Sequence, residues 1–401
     1  MDTHIYIALP LLDELDNLDL IFNNLVAQTF KDFTLVVCVN QPNDWWNDDY
    51  KRKICNRNAL TIEKIKNQAT ISTINCIIID KSSNGNGWED KKHGVGWARK
   101  TIMDKISSIS NENDIIVSID GDTYYKPNYL QTIINYFNSH SKIDVISIPY
   151  YHPQNSDKQA NRAILRYEIY MRYYFLNLVR IKSPYTFSAL GSALTFRQRA
   201  LSKIGGFTPK KSGEDFYFLQ KMVKYKPISN WITEKVYPAA RFSDRVYFGT
   251  GPAMIKGNNG DWSSYPLYPI SLFDNIHAFY NLIPKLYIKN IDTPIDSFWN
   301  NKNDRNSIFN KLRANNKDLP HFTKAVHDYF DALKTLQYLK SSYTPGNEER
   351  NLIEFLNTNF AAGINNNLLN GFSFNNSTLK HLNAIRDFLC KKEDFYRQQI
   401  S

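Results

Sequence analysis

Five short apolar runs alternate with helical patterns over the first 150 residues. Each run is apolar on both faces, as strands buried from both sides must be. The intervening segments have helical spacing, and proline opens the last of them. The predicted strands are residues 4–9, 33–39, 75–79, 115–119 and 145–149, and the predicted helices are 18–27, 59–66, 96–106 and 127–137. This alternation predicts a doubly wound α/β fold with a mostly parallel sheet.

The second half of the chain is less regular. Residues 157–180 read as one long basic, aromatic helix, and residues 212–225 as a helix with acids in its first turn. From about residue 270 the pattern becomes helical and rich in Asn and Lys. We therefore expect a sheet domain over residues 1–268 and a C-terminal helical extension over residues 269–401.

Composition limits the class of protein without choosing a function. The 401 residues are 42% hydrophobic and 22% charged, which is typical of globular proteins. No apolar run approaches the ~20 residues that a membrane helix requires. The scattered cysteines (Cys38, Cys55, Cys76 and Cys390) have poor zinc spacing and favour reduced thiols in a cytoplasmic protein. The net charge of +10 is compatible with nucleic acid, anionic lipid or a phosphorylated small molecule.

Two carboxylates stand at the end of the fourth predicted strand, in the sequence Asp120-Gly121-Asp122. Ligands of such sheets bind outside the carboxyl ends of the strands. Carboxylate oxygens suit Mg²⁺ or Mn²⁺, which commonly bridge acidic side chains and phosphates. The alternative is a turn in which the aspartates bond only to backbone amides.

Four motifs in order make the chain resemble the family-2 glycosyltransferases of the GT-A fold. The first strand leads into a Glu-x-x-Asn-Leu element that begins at Glu14. "GVGWARK" (94–100) is similar to a Gly-x-x-x-Ala-Arg-Asn element, with Lys100 in place of Asn. "DGDT" (120–123) and "SGED" (212–215) match the Asp-x-Asp motif and the later Glu-Asp pair. The resemblance implies transfer of a sugar from a nucleotide-diphospho-sugar, mostly with inversion.

The resemblance also implies roles for individual residues. Asp120 would bond to the ribose of the donor, and Asp122 would be the main ligand of an Mn²⁺ or Mg²⁺ ion, with Asp120 as a second candidate ligand. Arg99 would lie near the nucleotide, unless it is only an exposed helix arginine. Asp215 would be the general base, with Glu214 as the reserve candidate. An acid at a helix start can also be a simple cap.

Further donor-binding residues are expected on three loops. Glu14 follows the first strand, and Asn40 follows the second, where the family usually has acidic residues, so the nucleobase stays open. Arg241 and Arg245 lie beside Gly249-Thr250-Gly251. Guanidinium groups bind phosphate oxygens and a glycine-rich turn can present amides to an anion, which favours a loop over the diphosphate. Pairing of these arginines with nearby carboxylates is the alternative.

Several functional alternatives remain. The basic, aromatic segment 157–180 either lies at the inner face of a membrane, where it helps to present a lipid-linked glycan acceptor, or packs its aromatics against the sheet and solvates its arginines. A nucleic-acid-binding protein would use the basic charge, but no binding module is recognised. A retaining transferase or a nucleotidyltransferase is the other rival. "LPLLDELDNL" (9–18) has no glycine, which disfavours the nucleotidyltransferase.

Overall fold

The computed structural model describes residues 3–89, 92–211, 213–244, 249–364 and 368–401. The chain forms two compact units. Unit 1 comprises residues 1–164, 187–260 and 397–401, and unit 2 comprises residues 165–186 and 261–396. The boundary expected between residues 268 and 269 stays a prediction.

The strands of unit 1 are β1 Ile5–Leu11, β2 Phe33–Asn40, β3 Asn75–Lys81, β4 Ile115–Ser118, β5 Thr123–Tyr125, β6 Val145–Ser147, β7 Leu194–Arg197 and β8 Val236–Pro238. Six of them form one sheet with the order β3-β2-β1-β4-β7-β6. The strands β3, β2, β1 and β4 are parallel, whereas β7 is antiparallel to both β4 and β6. A second sheet pairs β5 with β8. Every residue of β1, β2 and β4 is buried, as expected for strands covered on both faces.

The helices of the first half connect the parallel strands, as the alternating pattern predicted. They are α1 Leu18–Val26, α2 Arg52–Ile71, α3 Val95–Ser107 and α4 Tyr129–Ser139, followed in unit 1 by α6 Gln198–Lys203, α7 Glu214–Tyr225 and α8 Thr250–Asn258. This arrangement puts the carboxyl ends of β1, β2, β3 and β4 at one edge of the sheet. The predicted α/β fold with a mostly parallel sheet is confirmed.

Unit 2 is helical where it is described, which confirms the predicted C-terminal helical region. Most of α5 (Lys158–Arg180) and α14 (Leu379–Ile400) belong to it, together with α9 Ile270–Ile288, α10 Lys302–Asn315, α11 Leu319–Tyr329, α12 Ala332–Ser342 and α13 Glu348–Phe360. Asn301 and Asp318 cap α10 and α11 by accepting hydrogen bonds from backbone N–H groups of the first turn. Leu165, Ile169 and Tyr173 of α5 belong to its apolar core.

The arginines of α5 differ from the expectation of a solvated basic face. Arg172 is fully buried and pairs with Glu168 of the preceding turn and with Glu393. Arg386 completes the cluster through a 2.9 Å contact with Glu168. Arg166 is buried between the rings of Trp262 and Phe374. The alternative in which the α5 arginines face solvent was wrong for Arg166 and Arg172, because buried carboxylates and rings of unit 2 surround them, whereas Arg180 is partly exposed.

Within the described residues, no helix combines the length and apolarity needed to span a bilayer.

Candidate active site

The turn after β4 carries the predicted carboxylate pair. Ile119 continues the strand direction by donating its backbone N–H to the Ala8 carbonyl at 3.0 Å, and Asp120, Gly121 and Asp122 follow. A Cβ added to Gly121 would lie 3.2 Å from Cγ of Glu14, so a side chain there would press on this acid. The glycine therefore lets the aspartate turn lie directly against the residue that follows β1.

Arg99 joins this turn to the start of α7. It is buried on α3, where its Nη2 lies 2.5 Å from Oδ1 of Asp120 and its Nε lies 3.0 Å from Oε1 of Glu214. Its Nη1 donates to the Gly191 carbonyl at 3.0 Å and to the Ser118 hydroxyl. The alternative of an exposed helix arginine was wrong. No sequence pattern indicated Ser118 or Gly191 as its partners.

Gly191 is required where Arg99 passes. A Cβ at this position would collide with the Arg99 guanidinium. Any other residue would therefore displace the group that holds Asp120.

A second arginine holds the other aspartate of the turn. The Nε of Arg241 lies 2.6 Å from Oδ2 of Asp122, and its Nη2 lies 2.8 Å from Oε1 of Glu14. Asn17 also donates its side-chain amide to Glu14. Arg241 thus bridges two acids that come from the ends of neighbouring parallel strands. Arg245 lies outside the described residues.

Burial shapes the ionisation of these acids. Burial raises the pKa of Glu14 to about 7, with Arg241 lowering it and Asp122 raising it. Burial also raises the pKa of Asp120, against the lowering effect of Arg99. Carboxylates in such surroundings keep their charge only where cationic partners compensate them.

Asp215 and Glu214 occupy different surroundings in the first turn of α7. Glu214 is buried and bonded to Arg99, as described above. Asp215 is half-buried, and its Oδ1 accepts a 2.7 Å hydrogen bond from the Phe216 backbone N–H. Among the described residues, no ion pair engages Asp215. Burial raises its pKa, while Arg99 lowers it and Asp120 raises it. The geometry therefore distinguishes Asp215, an available carboxylate, from Glu214, a tethered one.

Asn40, expected at the nucleobase, is bonded within the protein. It is buried, its Nδ2 donates to the Leu11 carbonyl at 2.9 Å, and its Oδ1 accepts from Nε1 of Trp88 at 3.2 Å. A contact of Asn40 with a nucleobase stays a prediction. Trp46 anchors its loop by donating Nε1 to the Ser82 carbonyl at 2.9 Å.

Two neighbouring residues escaped the sequence analysis. Asp80, at the end of β3, accepts hydrogen bonds from the backbone of Ser82 and Ser83. Burial alone would raise its pKa, but these hydrogen bonds lower it to about 2. Tyr125 of β5 accepts a 3.2 Å hydrogen bond from the Asp120 backbone N–H, which fixes the turn from its other side. An aspartate or tyrosine at the end of a strand has no distinguishing sequence pattern.

The glycine-threonine-glycine segment begins a helix. Gly249 precedes α8, and Thr250 and Gly251 form its first turn. The backbone N–H groups at a helix start suit an anion, although no described contact shows one here.

The described carboxylates have the oxygen ligands that a hard cation prefers, but they do not converge on a common point. Carboxylate oxygens are what Mg²⁺ and Mn²⁺ prefer, and the positive guanidinium of Arg241 already lies between Glu14 and Asp122. Across the described ranges, no three acidic, histidine or cysteine side chains converge as a metal cluster would. The assignment of Asp122 and Asp120 as ligands of a divalent cation stays a prediction.

Part of the acidic edge of the sheet lies in a segment that matches a known family model. Residues 115–250 match the model of glycosyl transferase family group 2, and this segment contains both the aspartate turn and the Glu214-Asp215 pair. This match covers less than half of the chain and supports the predicted resemblance to the family-2 glycosyltransferases.

Solved structures show more distant likeness. Staphylococcus aureus TarS 1–349 in complex with UDP is 12% identical, with 99% of this chain and 92% of that chain covered and a TM-score of 0.39. Glucosyl-3-phosphoglycerate synthase from Mycobacterium tuberculosis, in complex with Mn²⁺, UDP-glucose and phosphoglyceric acid, is 14% identical, with 56% and 66% covered and a TM-score of 0.35. These TM-scores are too low to support any conclusion about this chain. No curated protein sequence matches it.

Proposed function

We propose that the enzyme transfers a sugar, with inversion, from a nucleotide-diphospho-sugar to an acceptor hydroxyl. One observation carries the proposal: the buried guanidinium of Arg99 holds both Asp120 and Glu214. It thereby ties the turn expected to bind the donor to the helix start that bears the expected base. The donor side and the acceptor side of the proposed site are therefore both in contact with Arg99.

On the donor side, we assign Asp120 to the ribose and Asp122 to a divalent cation. When bound, Mg²⁺ or Mn²⁺ would neutralise the diphosphate and favour its departure. Arg99 keeps Asp120 oriented through its 2.5 Å contact. Glu14 and Arg241 adjoin Asp122, and Arg241 is a further donor-binding candidate, because a guanidinium suits phosphate oxygens.

On the acceptor side, Asp215 is the general base. Its carboxylate takes the proton of the acceptor hydroxyl while that oxygen bonds to the anomeric carbon, and the bond from this carbon to the diphosphate oxygen breaks with its electron pair. A base suits this step best when its pKa lies near the working pH, and burial moves the pKa of Asp215 in that direction. The Glu214 carboxylate is the weaker candidate because Arg99 occupies it.

The acceptor is proposed to be a glycan hydroxyl, as in surface polysaccharide synthesis. The aromatic side chains of Tyr173 and Phe175 on α5 are buried in the protein. They therefore give no support for the hypothesis that this helix lies at a membrane. Peripheral membrane association and a lipid carrier stay predictions without a structural argument. No observation favours the nucleic-acid or nucleotidyltransferase alternatives.

A thermal-shift panel of UDP-, GDP- and dTDP-sugars, with and without Mn²⁺, tests the donor site. A ligand at 100 times its Kd adds about 2.7 kcal/mol of stability, so we expect one nucleotide with Mn²⁺ to raise Tm by roughly 5–10 °C. Asp122→Asn should abolish the shift. Asp104→Asn is the matched control, because Asp104 is an exposed acid paired with Lys100 on α3. A shift that survives in Asp122→Asn, or no shift with any sugar nucleotide, would contradict the proposal.

A further inference from the structure

Arg241 occupies the position where a cation is needed. Both Nε and Nη2 contact Oδ2 of Asp122 at 2.6 Å, while Nη2 also reaches Glu14 at 2.8 Å. The acids come from the turns after β4 and β1, so the guanidinium links two loops of the site. One positive charge therefore already compensates the carboxylate assigned to the metal.

The same carboxylate cannot serve two cations equally well. Mg²⁺ binds carboxylate oxygens at about 2.0–2.1 Å, so an ion on Asp122 would lie within a few ångström of the Arg241 guanidinium. Like charges at that separation repel strongly where water is partly excluded. Glu14 is nearly buried and Asp122 is three-quarters buried, so solvent screens the repulsion only in part.

The surroundings of Arg241 would also allow its side chain to move away from Asp122. About a third of its side chain is exposed, unlike Arg99, which is almost fully buried. It lies on the segment between β8 and α8, outside any helix or strand. A long side chain on such a segment can change partners without disturbing the sheet.

We propose that Arg241 is an internal cation that competes with the divalent ion for Asp122 and must release this carboxylate before the ion binds. In the ligand-free enzyme Arg241 keeps Asp122 and Glu14 compensated and the two loops joined. The released guanidinium then faces the diphosphate. The inference rests on the proposed function only for the identity of the competing cation.

The test is the affinity for Mn²⁺ in the absence of nucleotide, measured from the electron paramagnetic resonance signal of free Mn²⁺. Arg241→Met removes the competitor, so we expect Mn²⁺ to bind about tenfold more tightly than to the wild-type protein, a gain of ~1.4 kcal/mol. Arg241→Lys keeps the charge and should remain close to wild type. Arg57→Met is the matched control, because Arg57 bridges the half-buried Asp13 and the exposed Asp16 at 2.5 and 2.7 Å. It should leave Mn²⁺ binding unchanged.

Mn²⁺ affinity that is equal or weaker in Arg241→Met than in the wild type would overturn the competition. A gain in Arg241→Lys as large as in Arg241→Met would also overturn it, since the charge would then be irrelevant. UDP binding measured by NMR with Mn²⁺ and with EDTA separates this failure from that of the proposed function. If Mn²⁺ strengthens UDP binding to the wild type while Arg241→Met shows no gain, the inference fails alone. If neither protein binds Mn²⁺, with or without UDP, both the inference and the metal-assisted mechanism fail.

Discussion

Replacement of Arg99 by methionine should destabilise unit 1 strongly, because it removes the partner of a buried acid. The side chains of Arg99 and Glu214 are only 4% and 5% exposed. Breaking a buried pair on one side typically costs about 3–5 kcal/mol. The Asp120 side chain is 35% exposed, so solvent screens its pair with Arg99 and the loss there adds at most about 1 kcal/mol. We therefore expect the loss of Glu214's partner to dominate.

Thermal melting followed by circular dichroism measures the effect. At ~2–4 °C for each kcal/mol, Arg99→Met should lower Tm by roughly 6–20 °C. The double variant Arg99→Met/Glu214→Leu removes both charges and should recover most of this loss, because an apolar pair can replace a buried ion pair. Arg57→Met, which breaks two partly exposed pairs, should cost no more than about 1 kcal/mol for each pair. An Arg99→Met protein within ~1 kcal/mol of wild type, or a double variant with no recovery, would refute the reasoning.

Three further predictions concern catalysis, pH and unit 2. Asp215→Asn should bind the donor normally and lose about 10²–10⁴-fold in transfer rate, measured by release of the nucleoside diphosphate; equal loss of donor binding would make Asp215 structural. The base must be ionised to accept a proton, and burial raises the pKa of Asp215. The transfer rate should therefore increase with pH, with an apparent pKa above the usual aspartate value of ~3.9. An apparent pKa at or below that value would contradict the assignment. Glu168→Gln should lower the free energy of unfolding by about 3–5 kcal/mol in a urea titration, because Glu168 compensates two buried arginines. Asp274→Asn, which loses an exposed pair with Arg180, is the control, and equal effects of the two variants would be inconsistent with a buried cluster.

The sequence predicted the sheet core well because its strands are long and apolar. Each of the runs at 4–9, 33–39, 75–79 and 115–119 lies in or directly beside an observed parallel strand. The small sheet of β5 and β8 was missed because neither three-residue strand lies in an apolar run, whereas the equally short β6 lies in the predicted run 145–149.

The partners of the charged side chains were harder to predict from the sequence. Arg99 was placed near the site by its motif, yet its bonds to Ser118 and Gly191 depend on packing of distant segments. Likewise, no spacing rule brings Arg241 between Glu14 and Asp122, which are separated from it by 227 and 119 residues. The arginines interleaved with aromatic residues on α5 resemble a solvated basic face. However, the buried acids that neutralise Arg172 come partly from the far end of the chain.

Proton NMR of donor turnover tests the central claim most directly. The wild-type enzyme is supplied with Mn²⁺, an acceptor glycan and the α-linked sugar nucleotide that stabilises it, and the anomeric signal of the first product is recorded. The account predicts a β-linked product, formed by the wild type and the Asp104→Asn control and lost in Asp215→Asn although this variant still binds donor. An α-linked product, or undiminished transfer by Asp215→Asn, would contradict inversion with Asp215 as the base.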